Sequence, residues 1–360
     1  MIKILSGLFS LFLLGACSNL SYYSQAVGGH LEVMKASRPI EEVMGDAATD
    51  RDLKVKLARV RDIREFASRE LGLPDNGSYR SFADLGRPFV VWNLSATDEL
   101  SLTPKTWCMA IVGCVTYRGF YDRKDAEQLA AELREQGLDT YVGGVSAYST
   151  LGYFNDPVLN TFLRFGETEV ARLIFHELTH QLVFVEGDTA FNESLATAVE
   201  NEGVRRWFER HATPAKAQAF AAQQERKARF AGLIADYRSR LGKLYAVDLP
   251  VAEMRRAKAG VLVDLQQDYV ALKAEWGGFD GYDKWFDENL NNAKIASLAP
   301  YSALVPAFEA LLAEEGHDLP NFYRRVAALA RLPKLERNVQ LAALMPPERK
   351  VLALAGSPAR

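Results

Sequence analysis

Positions 176–180 read His-Glu-Leu-Thr-His, and two of the five histidines of the chain stand here. Residues four apart lie on one face of an α-helix, so both imidazoles can point at a single metal ion. Zn²⁺ binds neutral imidazole and, in catalytic sites, keeps one position open for water. Glu177 is offset by one residue, so its carboxylate lies beside such an ion, where it can take a proton from water and pass it to a leaving amine. The pattern predicts a zinc site with His176 and His180 as ligands and Glu177 as the catalytic base.

The third protein ligand must come from farther along the chain. Metzincin-type sequences place it six residues after the second His, with a Gly in between at which the chain turns. Here those positions are Glu186 and Val183, and without the Gly, Glu186 is an awkward ligand. The segment Asn-Glu-Ser-Leu-Ala at 192–196 is the better candidate. A break at 186–188 ends the first helix, so we expect Glu193 in the first turns of an antiparallel second helix, facing the two histidines.

The pairing of these two motifs resembles that of the gluzincin metallopeptidases, whose third zinc ligand is the Glu of an Asn-Glu-x-x-Ala-like segment on the next helix. The resemblance implies that Glu193 is the third ligand. The 13 positions from His180 to Glu193 are fewer than in the large one-zinc aminopeptidases, so the connection must be tight. Over most of its length the chain also resembles a family of bacterial lipoproteins described as predicted aminopeptidases, through its first residues, the Tyr-Arg-Gly segment at 117–119 and the two motif helices. That resemblance implies a zinc peptidase.

Helices must position both motifs, and apolar residues recur at helical spacing through the first one: Val170, Leu173, Ile174, Leu178, Leu182 and Val183. A polar side chain inside such a buried helix needs a partner, which a metal ion supplies. Strands are expected earlier, including residues 89–92 and 138–147, whereas from about residue 157 the pattern is mostly helical. The expected fold is α+β and predominantly helical. It has a zincin-like core with a small N-terminal antiparallel or mixed sheet, an HExxH active-site helix and a helical C-terminal half.

The expected domain organisation has three parts. Residues 1–16 are a lipoprotein-type signal peptide, residues 17–47 a lipidated tether and first helix, and residues 48–360 one metallopeptidase domain. The segments of that domain, in chain order, are a sheet-containing part at about 85–150, the zinc helices at about 167–208 and a helical C-terminal part at about 215–360.

The start of the chain has the layout of a secretory signal, with Lys3 as its only charge and a short apolar run after it. Leu-Gly-Ala-Cys at 14–17 resembles a bacterial lipoprotein signal, so we expect cleavage before Cys17 and lipidation of this residue. In Gram-negative bacteria a Ser after the lipidated Cys usually directs a lipoprotein to the outer membrane, and Ser18 stands there. The sequence predicts an outer-membrane lipoprotein on the periplasmic face. An ordinary signal peptide and a buried apolar segment are the alternatives.

The other two cysteines, Cys108 and Cys114, lie close together in the chain. Because the periplasm is oxidising, we expect a disulfide between them across a bend. Two buried thiols are the alternative.

The overall composition is that of a folded globular protein, with 48% hydrophobic and 25% charged residues. Its net charge of −3 argues against a general nucleic-acid binder, whose affinity depends on a basic surface.

Amide hydrolysis also needs a donor for the developing oxyanion, for which gluzincins often use Tyr or His. Tyr301 is our first candidate, and Tyr148 and Tyr153 are others, although each also suits a core or rim position. Glu200 lies seven residues after Glu193, two turns along the same helix face. There it can hold a ligand histidine in its tautomer or form a surface salt bridge.

These residues predict a peptidase with one Zn²⁺ ion and a peptide substrate, and the family resemblance implies an aminopeptidase. The large one-zinc aminopeptidases bind the substrate amine with a Gly-x-Met-Glu-Asn segment, which this chain lacks. An endopeptidase of the same mechanism is therefore an alternative. A second alternative is a non-catalytic, zinc-containing envelope lipoprotein that binds partners, although a purely structural site has no need of a base at Glu177.

Overall fold

All strands of the described residues lie before residue 160, with helices between them, and the remainder is mostly helical. The computed structural model describes residues 22–109, 113–211, 213–287, 289–298 and 304–345. The strands are β1 (Ser37–Pro39), β2 (Ser81–Ala83), β3 (Val91–Asp98), β4 (Trp107–Met109), β5 (Gly113–Val115), β6 (Arg118–Phe120), β7 (Leu138–Val145) and β8 (Val158–Leu159). The helices are α1 (22–36), α2 (Ile40–Gly45), α3 (Arg51–Arg69), α4 (Arg123–Glu135), α5 (Asn160–Leu163), α6 (Glu167–Leu182), α7 (Thr189–His211), α8 (Pro214–Tyr245), α9 (Val251–Glu275), α10 (Asp283–Asp287), α11 (Asn292–Ser297), α12 (Val305–Glu314), α13 (Leu319–Ala330) and α14 (Lys334–Leu344). The predicted class, mostly helical with small sheets, is confirmed.

The two longest strands pair in an antiparallel sheet of order β6-β3-β7. Leu94 of β3 lies opposite Val142 on one side and Arg118 on the other. Helix α4 packs against β3 and β7, and the Asp122 side chain caps it by accepting a hydrogen bond from the Lys124 amide. A second small sheet has the order β1-β2-β8, with β2 and β8 parallel. Strands β3 and β7 overlap the two strands predicted from the sequence.

Strands β4 and β5 pair with each other, and Cys108 lies directly opposite Cys114. Their sulfur atoms are bonded at 2.03 Å. The short segment between the two cysteines lets both of them reach this register.

Helix α6 lies in the main apolar core, packed between α3 and α7. Its inner face buries Val170, Ile174 and Leu178. The ring of Phe175 lies 6.0 Å from that of Phe66 on α3. This packing on both sides holds the histidine-bearing helix in one orientation, because a close-packed interior leaves little room for adjustment.

The long helices α8 and α9 pack against each other and share a separate apolar cluster around Tyr237 and Leu265. Buried polar contacts join α9 to the sheet. The Lys258 ammonium donates to the Asp139 carboxylate at 2.6 Å and to the Glu99 carbonyl oxygen at 2.7 Å. The C-terminal helices are thus attached to the strands by hydrogen bonds as well as by apolar contact.

Three predictions concern residues outside the described ranges: the signal segment 1–16, the lipidation of Cys17 and the role of Tyr301. Among the helices that the structure describes, none has a stretch long and apolar enough to span a membrane.

Candidate metal centre

A tight turn joins the two helices that carry the predicted ligands. His176 and His180 lie on α6, and Glu193 lies in the first turns of α7. Between the helices Gly187 has a φ of 73°, a conformation that residues with a side chain rarely adopt. The Asn192 side chain accepts a hydrogen bond from the Val185 amide and donates one to the Val185 carbonyl, both at 2.8 Å. These contacts set the direction in which α7 leaves α6.

A buried ion pair holds the start of α7. One Asp188 carboxylate oxygen accepts a hydrogen bond from the Phe191 amide, and the other pairs with Arg337 of α14 at 2.5 Å. Both charged side chains are only 4% exposed. A buried charge that loses its partner is costly, so this pair fixes the first turn of α7 and with it the position of Glu193.

The side chains of His176, His180 and Glu193 converge, with their ligand atoms within 4.8 Å of one another. The Glu193 carboxylate lies 3.2 Å from His176 Nε2 and 3.6 Å from His180 Nε2. Ligand atoms around a tetrahedral zinc ion with bonds of 2.0–2.1 Å are about 3.3–3.4 Å apart. The two distances, which involve the two different carboxylate oxygens of Glu193, are close to that spacing, and two nitrogens with one carboxylate are a donor set that divalent metals accept.

Two acidic side chains, Glu193 and Glu200, lie close to His176. Burial raises the pKa of Glu193 and of Glu200, but the hydrogen bond of each with His176, together with the attraction of the neighbouring imidazoles and, for Glu200, of Arg172, more than offsets it and lowers both below their ordinary value. Arg172 pairs with Glu200, and His176 lies within hydrogen-bond distance of both Glu193 and Glu200. His176, His180 and Glu193 could hold a metal ion at this point.

The two imidazoles differ in their surroundings. Burial lowers the pKa of His180 to about 4, so its ring is neutral, as a metal ligand must be. Its Nδ1 atom is buried and has no hydrogen-bond partner among the described residues. Burial also lowers the pKa of His176, but hydrogen bonds with Glu193 and Glu200 outweigh it and raise the value to about 10. Each ring presents Nε2 toward Glu193.

A chain of polar contacts extends from His176 away from the centre. The Nδ1 atom of His176 lies 3.0 Å from a Glu200 carboxylate oxygen, and the other Glu200 oxygen pairs with Arg172. The Arg172 guanidinium also donates to the Gln224 side chain of α8 at 2.6 Å. Sequence reasoning named Glu200 but missed Arg172 and Gln224. The position of Arg172, four residues before His176, is a helical spacing that could have revealed it, whereas Gln224 has no such signal.

Glu177 lies on α6 next to the predicted histidine ligands, and its side chain is partly buried. Burial, reinforced by the Glu193 and Asp156 charges and opposed by His176, raises the pKa of Glu177 to about 7. Gln181, one turn after Glu177 on α6, hydrogen-bonds to Asn76 at 2.7 Å. The loop before β2, which contains Asn76, therefore lies along the side of α6 that carries Glu177. The arrangement places a carboxylate beside the candidate metal ligands without making it part of their cluster.

The structure also describes Glu186, Tyr148 and Tyr153, the remaining candidates within its ranges. Glu186 is exposed and is not among the three converging side chains. The Tyr148 hydroxyl lies 2.8 Å from His30 Nδ1, and Tyr153 is 86% exposed. The structure therefore brings together the two histidines, Glu193 and Glu200, and leaves Glu186 outside.

The comparisons with known proteins give one finding. No curated protein and no solved structure matches the chain. A family model described as "Putative aminopeptidase" matches residues 21–341, a range that includes both motif helices and the small sheets. A match over this much of the sequence indicates a peptidase, and hence a hydrolase, whose substrate is a peptide. The chain belongs to the family described as "Putative aminopeptidase".

Proposed function

We propose that this protein is a zinc-dependent peptidase of the gluzincin type, and that it acts as an aminopeptidase. The observation that carries the proposal is the convergence of His176, His180 and Glu193 beside Glu177. Two imidazoles and one carboxylate leave a fourth coordination position open, which is typical of catalytic rather than structural zinc sites. Glu193 is 34% exposed, so the centre reaches the protein surface on the side where a substrate would enter.

Each side chain has a separate role in this mechanism. His176, His180 and Glu193 would hold the ion, which when bound supplies a Lewis acid that polarises the scissile carbonyl and lowers the pKa of water. Glu177 accepts the proton of the attacking water and returns it to the leaving amine. Glu200 accepts the Nδ1 hydrogen of His176, so Nε2, on the side of Glu193, is the nitrogen of this ring that would bind the ion. Arg172 pairs with Glu200 and holds it in place.

We also propose that the protein acts in the periplasm as an outer-membrane lipoprotein. This part rests on the signal layout of residues 1–16 and on Cys17 and Ser18 after it. A lipid anchor followed by a short tether would keep the peptidase at the membrane surface. Metabolic labelling with a fatty acid, compared between wild type and Cys17→Ser, tests the anchor, since only the wild type should incorporate label.

The function is tested by metal analysis and peptide cleavage on the purified protein. We expect one zinc ion per chain and hydrolysis of peptides with a free N-terminus, lost on chelation and restored by zinc. N-acetylated versions of the same peptides distinguish the modes of cleavage, because an aminopeptidase needs the free amine. Equal cleavage of both sets would indicate an endopeptidase, and a zinc-loaded protein that cleaves neither would indicate a non-catalytic site.

Removing the charge of Glu200 should weaken metal binding. In Glu200→Gln the side chain keeps its shape but loses the charge-assisted contacts with His176 and Arg172, and changes of this type typically reduce metal affinity about 10- to 100-fold. Chelator competition measures the dissociation constant for zinc. Glu202→Gln is a matched control, because Glu202 is similarly buried but pairs with Arg205 and Arg206. Equal affinities in the two variants would contradict the role assigned to Glu200.

A further inference from the structure

The loop 74–80 lies against the side of α6 that carries Glu177. Gln181 follows Glu177 by one helical turn and therefore shares its face. The Asn76 amide group donates to the Gln181 side-chain oxygen at 2.7 Å, and the Gln181 amide group donates to the Ser78 hydroxyl at 3.2 Å. These bonds bring the next residue of the loop, Tyr79, into the core beside this face.

The backbone of Tyr79 has an uncommon conformation, with a φ of 61°. A residue other than Gly rarely adopts such a value, and surrounding contacts must enforce it. Two contacts do so here. The buried Arg64 guanidinium donates to the Ser78 carbonyl at 2.8 Å, and the Tyr79 amide donates to the Asp156 carbonyl at 2.7 Å. Backbone conformations enforced in this way concentrate at functional sites.

The Tyr79 hydroxyl is a hydrogen-bond donor with no acceptor. The side chain is 1% exposed, and its oxygen has no hydrogen-bond partner among the described residues. Burial first, and then the nearby charges of Glu177 and Asp156, raise the pKa of Tyr79 well above its ordinary value, so the hydroxyl keeps its proton. A buried hydroxyl without a partner is costly, which calls for an explanation.

The Glu177 carboxylate is a hydrogen-bond acceptor without a donor among the described residues. In the part of the chain that the structure describes, no amide or side chain donates a hydrogen bond to its carboxylate. A buried donor without an acceptor thus lies beside the helix face that carries a partly buried carboxylate without a donor. A catalytic base must present one defined oxygen to the attacking water, and a hydrogen bond to its other oxygen is a common means of fixing that orientation.

We infer that Tyr79 is a positioning residue for Glu177: its hydroxyl donates a hydrogen bond to the Glu177 carboxylate when substrate occupies the centre. The bond leaves the second carboxylate oxygen to accept the proton of water. Tyr79 itself neither gains nor loses a proton. This inference rests on the proposed peptidase function.

The variant Tyr79→Phe tests the inference, since it removes one oxygen atom and keeps the ring. We expect kcat to fall about 10- to 100-fold, the range for losing a hydrogen bond to a charged group, with KM and zinc content unchanged. We expect the thermal unfolding midpoint of the metal-free variant to equal or exceed that of wild type, because an unpartnered hydroxyl is removed.

Tyr237→Phe is the matched control. Its side chain is also 1% exposed, but its hydroxyl donates to Asp268 at 2.5 Å, between α8 and α9. We expect this variant to have a lower unfolding midpoint and an unchanged kcat, the reverse of Tyr79→Phe. A lower midpoint in Tyr79→Phe, or a kcat equal to that of wild type, would overturn the inference and leave the proposed function standing. A wild-type protein that hydrolyses no peptide would overturn both.

Discussion

The Glu177→Gln protein is expected to bind zinc normally and to lose nearly all peptide hydrolysis. Gln has the shape of Glu but cannot accept the proton of the attacking water, and a positioned acid-base group contributes about 10²- to 10⁴-fold to the rate. Because Glu177 lies outside the converging ligand cluster, metal content should stay at the wild-type level. Steady-state kinetics with a free peptide, together with metal analysis of the same sample, measures both quantities.

Glu169→Gln provides the control for this variant. Glu169 lies on the same helix, two turns earlier, and pairs with Lys227 of α8 at 2.7 Å, away from the metal centre. Its replacement makes the same chemical change on the same helix and should leave kcat within about twofold of wild type, as expected for a partly exposed ion pair. If Glu177→Gln retained wild-type turnover, the base would have to be another group and the mechanism would be wrong.

Loss of the third ligand should remove the metal itself. We expect Glu193→Ala to bind zinc at least about 100-fold more weakly than wild type, because two imidazoles alone leave a catalytic zinc site one protein ligand short. Weaker zinc binding should also reduce the stabilisation of the folded state by zinc. A metal present at 100 times its dissociation constant stabilises the folded state by about 2.7 kcal/mol, whereas 100-fold weaker binding leaves about 0.4 kcal/mol. Thermal unfolding with and without zinc measures this difference.

Glu186→Ala is the matched control, because Glu186 is the alternative ligand that the sequence offered. It is exposed, precedes Glu193 in the turn between α6 and α7, and does not join the ligand cluster. We expect its zinc affinity and zinc-dependent stabilisation to equal those of wild type. The opposite pattern, with zinc lost from Glu186→Ala and kept by Glu193→Ala, would mean that the turn adopts another conformation when metal binds.

Local periodicity made part of this site predictable. The spacing of His176 and His180 sets both rings on one face of any α-helix that contains them, whatever surrounds it. The position of Glu177 beside that face follows from the same geometry. The ends of α4 could also be predicted from the sequence. Asp122 accepts an amide hydrogen bond at its start, and Gly137 has a φ of 85° just after its end. The short spacing of Cys108 and Cys114 likewise made a disulfide between them predictable.

The choice between Glu186 and Glu193 needed more than spacing. Both follow the histidines closely enough to be candidates, and the amino-acid types are the same. The turn at Gly187 and the pairing of Asp188 with Arg337 direct α7 so that Glu193, and not Glu186, faces the two rings. Arg337 comes 149 positions after Asp188, a separation over which no helical or strand periodicity relates two residues.

The proposed chemistry could be predicted from the amino-acid sequence, because ligand type and helical spacing are properties of a few neighbouring residues. The surroundings of that chemistry became known only from the fold: the contact of Glu200 with His176 and Arg172, the contact of Arg172 with Gln224, and the placement of Tyr79 in the core beside α6. These contacts join segments far apart in the chain, and they form through the packing of helices and loops whose relative positions depend on the whole apolar core.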